Sequence, residues 1–254
     1  MSGVIGVIPA RWGSVRFPGK ILVPLCGKPL IQWVWERARR AKALDALLVA
    51  TDDDRIAAAV RAFGGEVVMT RGDHPSGTDR IAEAVGERPA AAVINIQGDE
   101  PLVEPGLIDR MAEGIRTRPE WDMITAAAPL LDAGRVQDPS VVKVVCDDGG
   151  RALYFSRAPI PYEREKVGRG GGEALYWRHI GIYGYQRAFL ERLVRTPPAR
   201  LERAERLEQL RALALGGWIQ VLQTGDAGPG VDEPGDVARA EDALRRLALE
   251  GELE

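Results

Sequence analysis

Val7-Ile-Pro-Ala-Arg-Trp-Gly-Ser-Val-Arg-Phe-Pro-Gly-Lys20 is the stretch that decides how this chain is read. An apolar strand, Val4 to Ile8, runs directly into a loop carrying Arg11, Arg16 and Lys20 and loosened by Gly13 and Gly19. Glycines let backbone N–H groups approach an anion closely, and the cations balance its charge. Placed at a strand-to-helix crossover, this loop predicts a polyphosphate site. It is not a Walker A loop. Five residues separate Gly13 from the Gly19-Lys20 pair, and Ile21 stands where that motif needs a Ser or Thr for magnesium. The plainer alternative is a surface loop of solvated basic residues. Three cations with two glycines and two prolines in so short a span favour the anion site.

The 254 residues suffice for one large α/β domain or two small ones. A net charge of −3 argues against a broad nucleic-acid surface, so the positive charge is local. Cys26 and Cys146 have no metal-ligand spacing, and two histidines do not build a His-rich metal site. Val4–Ile8 is too short for a signal peptide core, and no run approaches the ~20 apolar residues of a membrane span. A cytoplasmic protein without a membrane or nucleic-acid partner is the expectation.

Working outward from the loop, short apolar runs alternate with amphipathic segments. A helix is predicted over Pro29–Ala41, a strand over Ala46–Ala50, and a helix capped by Asp52 or Asp53 through Phe63. Gly64-Gly65 closes that helix; strand Glu66–Met69, helix Asp79–Val85 and strand Ala91–Ile96 follow. Near-continuous apolar strands joined by helices predict a mostly parallel sheet covered on both faces. After about residue 140 the pattern changes. Val141–Val145 and Arg151–Phe155 flank a Gly-rich turn and read as a β-hairpin, with a Gly-rich, charged loop at 165–174. Strand Ile180–Tyr185, helix Leu201–Leu215, strand Ile219–Gln223 and helix Pro234–Leu249 complete the chain. One domain over 1–254 with an inserted region at about 140–185 is the simplest organisation.

Four further segments bear on chemistry. Asn95-Ile-Gln97-Gly-Asp99-Glu100-Pro101 closes an apolar strand, and ligands of open α/β sheets sit at that edge. Asp99 there either holds magnesium, which takes one or two carboxylates with phosphate oxygens, or caps a helix opened by Pro101 or Pro105. Gly228-Pro-Gly-Val-Asp232-Glu233-Pro234 repeats the Asp-Glu-Pro pattern, and Asp232 taken alone reads as a cap. Met69–Arg80 holds Ser76, Gly77, Thr78 and Arg80, fit to read a base or ribose but equally a polar loop with a helix cap; His74 reads as a surface histidine. Arg178, His179 and Tyr183, with Arg157 and Arg164, offer groups for an anionic substrate. For His179 a satisfied strand residue is the plainer reading. Glu202, Glu205 and Glu208 with neighbouring arginines read as a salt-bridged exposed face.

Taken in order, these segments resemble the sugar-activating cytidylyltransferases, and within them the 3-deoxy-manno-octulosonate (KDO) cytidylyltransferase family. The resemblance rests on Ile-Pro-Ala-Arg with Phe-Pro-Gly-Lys, Ala-Thr-Asp, Met-Thr-Arg with Ser-Gly-Thr-Asp-Arg, Gln-Gly-Asp-Glu-Pro, Tyr-Phe-Ser-Arg, Arg-His-Ile-Gly-Ile-Tyr, Leu-Glu-Gln-Leu-Arg and Gly-Val-Asp. It runs from Val4 to the C-terminal helix. It implies a three-layer, Rossmann-like nucleotidyltransferase fold and a homodimer joined through the hairpin region. The implied reaction is CTP plus KDO giving CMP-KDO plus pyrophosphate, with Mg2+, for lipopolysaccharide synthesis. Carried over by position, Arg11, Ser14, Arg16 and Lys20 hold the CTP phosphates, and Ser76, Gly77, Arg80 and Gln97 the rest of the nucleotide. Asp99 and Asp232 bind magnesium. Gln97, Arg157, Arg164, His179, Tyr183, Glu208 and Gln209 line the sugar pocket. The catalytic set is Arg16, Lys20, Asp99 and Asp232. The chain departs from the family pattern at Trp12-Gly13, at Val15, where many relatives carry a hydroxyl, and at the Gly-rich 168–172 stretch. Three alternatives stay open: CMP transfer to sialic acid or amino-KDO, a non-catalytic nucleotide binder, and, more weakly, a dehydrogenase, although no G-x-G-x-x-G follows the first strand.

Overall fold

A computed structural model of the chain describes residues 3–14, 16–164, 174–225 and 228–251. Val15 and nearly all of the expected 165–174 loop lie outside the described residues. The first half comprises β1 (Gly3–Ala10), β2 (Pro24–Leu25), β3 (Lys28–Pro29), α1 (Leu30–Ala38), β4 (Ala46–Thr51), α2 (Asp54–Ala62), β5 (Glu66–Met69), α3 (Gly77–Val85), β6 (Ala90–Asn95) and α4 (Pro105–Thr117). The second comprises β7 (Met123–Pro129), α5 (Ala133–Gln137), β8 (Lys143–Cys146), β9 (Ala152–Ser156), β10 (Trp177–Gln186), α6 (Arg187–Arg195), α7 (Arg200–Glu205), α8 (Gln209–Ala214), β11 (Ile219–Gln223) and α9 (Asp236–Leu249).

The main sheet runs β11-β7-β10-β6-β1-β4-β5. Strands β6, β1, β4 and β5 are parallel, as are β7 and β11, while β10 lies antiparallel between β6 and β7. Side chains alternate across this sheet with period two. From β6, Ala92, Ile94 and Ile96 enter the core beneath α1, α2 and α4. Val93 enters the opposite core with α3, α6 and α8. By that parity Asn95 and Gln97 face the α3, α6 and α8 layer, which places both for the site below. The result is the helix–sheet–helix architecture the apolar runs predict. A third cluster, Leu25, Leu30, Leu102, Val231, Ala240 and Leu244, fastens α9 and the 228–233 segment against α1.

The hairpin is present as β8 and β9, and β8 also pairs with β10, so it extends the sheet locally. Lys143 is fully buried at its base, its Nζ donating to the carbonyls of Asp138 (3.0 Å), Val141 (2.6 Å) and Arg157 (2.5 Å). Three carbonyl oxygens compensate an ammonium that burial pushes toward lower pKa. Two expectations need correction. The helix expected over Leu201–Leu215 is two helices, α7 and α8, broken where Arg206 adopts left-handed backbone (φ 53°). Its glutamates do not form one exposed face: Glu202 makes a buried ion pair with Arg211, and Glu205 holds the hairpin through Ser156 Oγ (2.6 Å) and the Arg157 amide (3.0 Å).

His179 lies in the core where β10 crosses β7. Its Nε2 meets Thr125 Oγ1 at 2.9 Å, and the Thr125 hydroxyl donates to the Ile182 carbonyl at 2.7 Å. With that proton committed, Nε2 is the donor and the ring is neutral. Burial drives its pKa down to about 3, with Arg178 adding to the shift. The unfolded chain therefore takes up a proton below about pH 6.5 that the folded chain refuses. Stability from this group is complete above that pH and declines toward pH 3 by up to about 1.4 kcal/mol per unit. In urea unfolding, wild type should lose more stability than His179→Gln between pH 7.5 and pH 5; equal losses would contradict a neutral buried ring. Gly184 gives a second check. A Cβ there would sit 2.5 Å from Ile124 Cγ2 and 2.8 Å from Ile94 Cδ1. Gly184→Ala should lower stability by about 1–3 kcal/mol, read as a lower urea midpoint at unchanged slope.

Candidate functional site

Every chemically distinctive group of the first half comes from a chain segment just beyond the carboxyl end of a parallel strand. β1 delivers the 11–20 loop, β5 the 70–76 loop and β6 the 96–101 loop, all at one edge. The 11–20 loop is folded on itself. The Trp12 carbonyl accepts from the Ser14 and Gly19 amides (2.9 and 3.0 Å), and the Trp12 ring lies between Gly19 and the Arg55 guanidinium, 3.4 Å from its centroid. Gly19 has φ 72° and has no room for a Cβ, which would fall 2.9 Å from Trp12. The loop then enters a single 3-10 turn at Lys20–Leu22, which buries Lys20.

The Lys20 ammonium bridges two carboxylates from widely separated parts of the chain, Asp99 Oδ2 at 2.6 Å and Asp232 Oδ1 at 2.9 Å. Burial works against its charge, but Asp99 and then Asp232 outweigh it and hold Lys20 above the ordinary lysine value. A main-chain bond from the Val231 amide to the Asp99 carbonyl (2.9 Å) fixes the two acidic segments together. Arg16 reaches Asp232 (3.0 Å) and Glu233 (3.7 Å). Neither aspartate is a helix cap: Glu104 precedes α4 and Gly235 precedes α9, while Asp236 accepts from the amides of Asp232 and Glu233. Glu100 beside them is pushed up to about 8, by burial first and then by the charge of Asp99.

Arg16, Lys20, Asp99 and Asp232 line a cavity of about 470 Å³ with Arg11, Ser14, His74, Pro75, Ser76, Gly77, Arg80 and Gln97. Ser76 caps α3, accepting from the Asp79 amide (3.2 Å) and donating to its carboxylate (2.6 Å). Arg80 is buried, donating to Thr70 Oγ1 (2.6 Å) and Asp52 Oδ2 (3.1 Å). The His74 side chain is not at the surface, as its sequence context predicts, but folded back and buried onto Glu83. A second cavity of about 140 Å³ shares Gly77 and Gln97 with the first and is lined by Thr78, Asn95, Tyr183, Tyr185, Glu208 and Gln209. Tyr183 donates weakly to Gln209 Oε1 (3.4 Å), and the buried Gln209 Nε2 has no protein partner among the described residues. A larger space of about 680 Å³ lies across Gln97 and Glu100, walled chiefly by Leu102, Val103, Leu107, Ile180, Ile182 and Leu247. Arg37, Glu104, Thr224, Arg246 and Glu250 also border it.

The structure thus brings together Arg11, Ser14, Arg16, Lys20, Ser76, Gly77, Arg80, Gln97, Asp99 and Asp232, and beside them Tyr183, Glu208 and Gln209. It does not bring Arg157, Arg164 and His179 to these cavity walls. Arg157 is spent on the carbonyls of Glu205 (2.8 Å) and Pro139 (2.9 Å), Arg164 is exposed, and His179 packs behind Tyr183 at 5.4 Å between ring centres. Sequence reading gave Asn95 and Tyr185 no role and named Thr78 only for the base or ribose. The signal was there for Asn95: it stands two residues before Gln97, on the same face of the strand. Among the described residues no group of three or more His, Cys, Asp or Glu forms a metal cage. The donor set suits magnesium instead. Two converging carboxylates next to an anion loop are what that ion takes when phosphate oxygens and water complete its octahedron, and the Lys20 ammonium already marks a cation position between them.

Comparison with known proteins places the chain in a family. A family model described as cytidylyltransferase matches residues 5–219. A 3-deoxy-manno-octulosonate cytidylyltransferase of Bdellovibrio bacteriovorus is 49% identical, over 95% of this chain and 97% of its own length. One from Syntrophobacter fumaroxidans is 50% identical, over 97% and 98%. A solved CMP:2-keto-3-deoxy-manno-octonic acid synthetase complexed with CTP superimposes with TM-score 0.89 at 42% identity, covering 96% of this chain and 99% of its own. The 4-diphosphocytidyl-2C-methyl-D-erythritol synthase of Anaerococcus prevotii, 14% identical with TM-score 0.65 over 96% and 99%, shares the fold. The chain belongs to the cytidylyltransferase family, in its 3-deoxy-manno-octulosonate branch.

Proposed function

We propose that this chain transfers CMP from CTP to the anomeric hydroxyl of KDO and releases pyrophosphate. The observation that carries the reading is Lys20 of the anion loop joined to both Asp99 and Asp232, in a chain 49% and 50% identical to two KDO cytidylyltransferases. The triphosphate lies along the 11–20 loop. Arg11, Arg16 and Lys20 balance its charge, and Ser14 with the loop amides donates to its oxygens. Ser76, Gly77 and Arg80 face the nucleoside end. Asp99 and Asp232 hold magnesium, which when bound neutralises phosphate charge and lowers the pKa of a hydroxyl.

The sugar takes the smaller cavity, where Gln97, Tyr183, Glu208 and Gln209 offer donors and acceptors for a polyol. The unpartnered Gln209 amide supports this, because a buried donor needs an acceptor. The sugar hydroxyl gives its proton to solvent water as its oxygen forms a bond to the α-phosphorus of CTP, and the bond from that phosphorus to the β-phosphate bridging oxygen breaks. Arg16 and Lys20 stabilise the charge that appears on the departing pyrophosphate. To do so Lys20 must exchange a carboxylate for a phosphate oxygen. Catalysis is then positioning and charge stabilisation, with no covalent intermediate on the protein.

A homodimer is part of the proposal. Leu153, Tyr162 and Leu175 are large exposed apolar side chains in the inserted region at about 140–185, which we assign to one nucleotidyltransferase domain, and the exposed Leu131 stands before it.

Pyrophosphate release, measured with CTP, magnesium and KDO, sialic acid or amino-KDO in turn, should be fastest with KDO; release with none of them would refute the activity. Asp99→Asn and Asp232→Asn should each cut turnover at least ~100-fold, the scale of one lost electrostatic stabiliser. Near-normal rates in both would refute the metal assignment.

A further inference from the structure

Gln97 borders all three cavities described above, so its side chain stands where nucleotide and sugar must meet. A glutamine in such a place has three rotatable torsions and an amide that presents either a donor or an acceptor. Something must choose. Asn95, two residues back on the same face of β6, is 3% exposed, and its Oδ1 accepts from Gln97 Nε2 at 3.2 Å. Asn95 is itself held. Its backbone is in register with Val7 of β1 and Tyr183 of β10, in the middle of the sheet. The Tyr185 hydroxyl, fully enclosed, interacts with the side chains of both Asn95 and Thr78. A polar chain thus runs from α3 through β10 and β6 to the joint between the cavities.

We propose that Asn95 is a positioning residue that turns the NH2 of Gln97 toward the sheet and its carbonyl oxygen toward the joint, where it accepts a hydrogen bond from the sugar. The inference rests on the sugar assignment of Gln97 made above. With one N–H of its NH2 group bonded to Asn95 and that group turned toward the sheet, Gln97 presents its oxygen to the joint, and a polyol is rich in the hydroxyl donors that match it. Misplacing a substrate by about 1 Å costs on the order of 100-fold in rate, so a residue that never touches substrate can still control turnover.

The test is a double-mutant cycle on kcat and on KM for each substrate, in the full-length protein. Asn95→Ala should lower kcat/KM for KDO ~10- to 100-fold and leave KM for CTP within about twofold, in a variant that stays folded at the assay temperature although its thermal midpoint falls. Gln97→Ala should show the same pattern. The double variant should be no worse than Gln97→Ala alone, because Asn95 acts only through Gln97. Losses that multiply in the double variant would overturn the inference while leaving the sugar site standing. So would an Asn95→Ala variant that weakens CTP and KDO alike. Wild-type kinetics in Gln97→Ala would overturn both the inference and the reading beneath it. Should Asn95→Ala fail to fold, the cycle is run with Asn95→Ser, whose hydroxyl falls short of Gln97 while remaining polar toward Tyr185; the same outcomes decide.

Discussion

One buried ammonium placed between two carboxylates organises this protein. Lys20, Asp99 and Asp232 come from three separate strand-end segments, the last 212 residues from the first. A lysine so enclosed tolerates its charge only because both aspartates compensate the lost water. Much of the remaining architecture serves to bring the three together. The Val231–Asp99 main-chain bond fastens the two acidic segments, α9 packs the later one against α1, and the Trp12 carbonyl folds the basic loop back so that Lys20 enters the protein. Opposite charges at such spacing have a second consequence. The cations that suit a triphosphate are, without it, partly neutralised by the carboxylates that suit a divalent ion. On the proposed reading ligand and ion would complement one another, each taking up the partner that the other's protein groups would otherwise leave unpaired.

The sheet explains why the groups proposed for nucleotide and for sugar share one joint. β6 ends beneath the site, and its last residues project on the face covered by α3, α6 and α8. β10 runs antiparallel beside it and delivers Tyr183 and Tyr185 to that same face. The nucleotide loops lie beyond β1 and β5 on one side of β6, the tyrosines of β10 on the other. Gly77 and Gln97 are common to both spaces because they stand where the two groups of elements meet.

What the sequence disclosed depended on how local the cause was. The 11–20 segment was legible as a loop because its glycines act within a few residues. The parallel half was legible because β1, β4 and β6 are buried on both faces and read as apolar runs. β7 was not: Met-Ile-Thr-Ala-Ala-Ala-Pro is rich in alanine, and it is a strand because β10 and β11 pair on either side of it. The break at Arg206 was invisible, since an arginine in left-handed backbone carries no glycine signal. Residue roles followed the same rule. Asp99 and Asp232 each looked like helix caps in isolation, and their convergence appears only in three dimensions. His179 and Arg157 carry groups suited to an anion, yet Thr125 and Glu205 have already claimed them.

The most direct measurement of the central claim is a crystal structure of the protein grown with CTP and Mn2+, with anomalous scattering locating the ion. On this account the ion lies between the carboxylates of Asp99 and Asp232, the triphosphate runs along residues 11–20, and the Lys20 ammonium has moved from at least one aspartate to a phosphate oxygen. An ion bound elsewhere, or a triphosphate held away from that loop with Lys20 still bridging both aspartates, would contradict it.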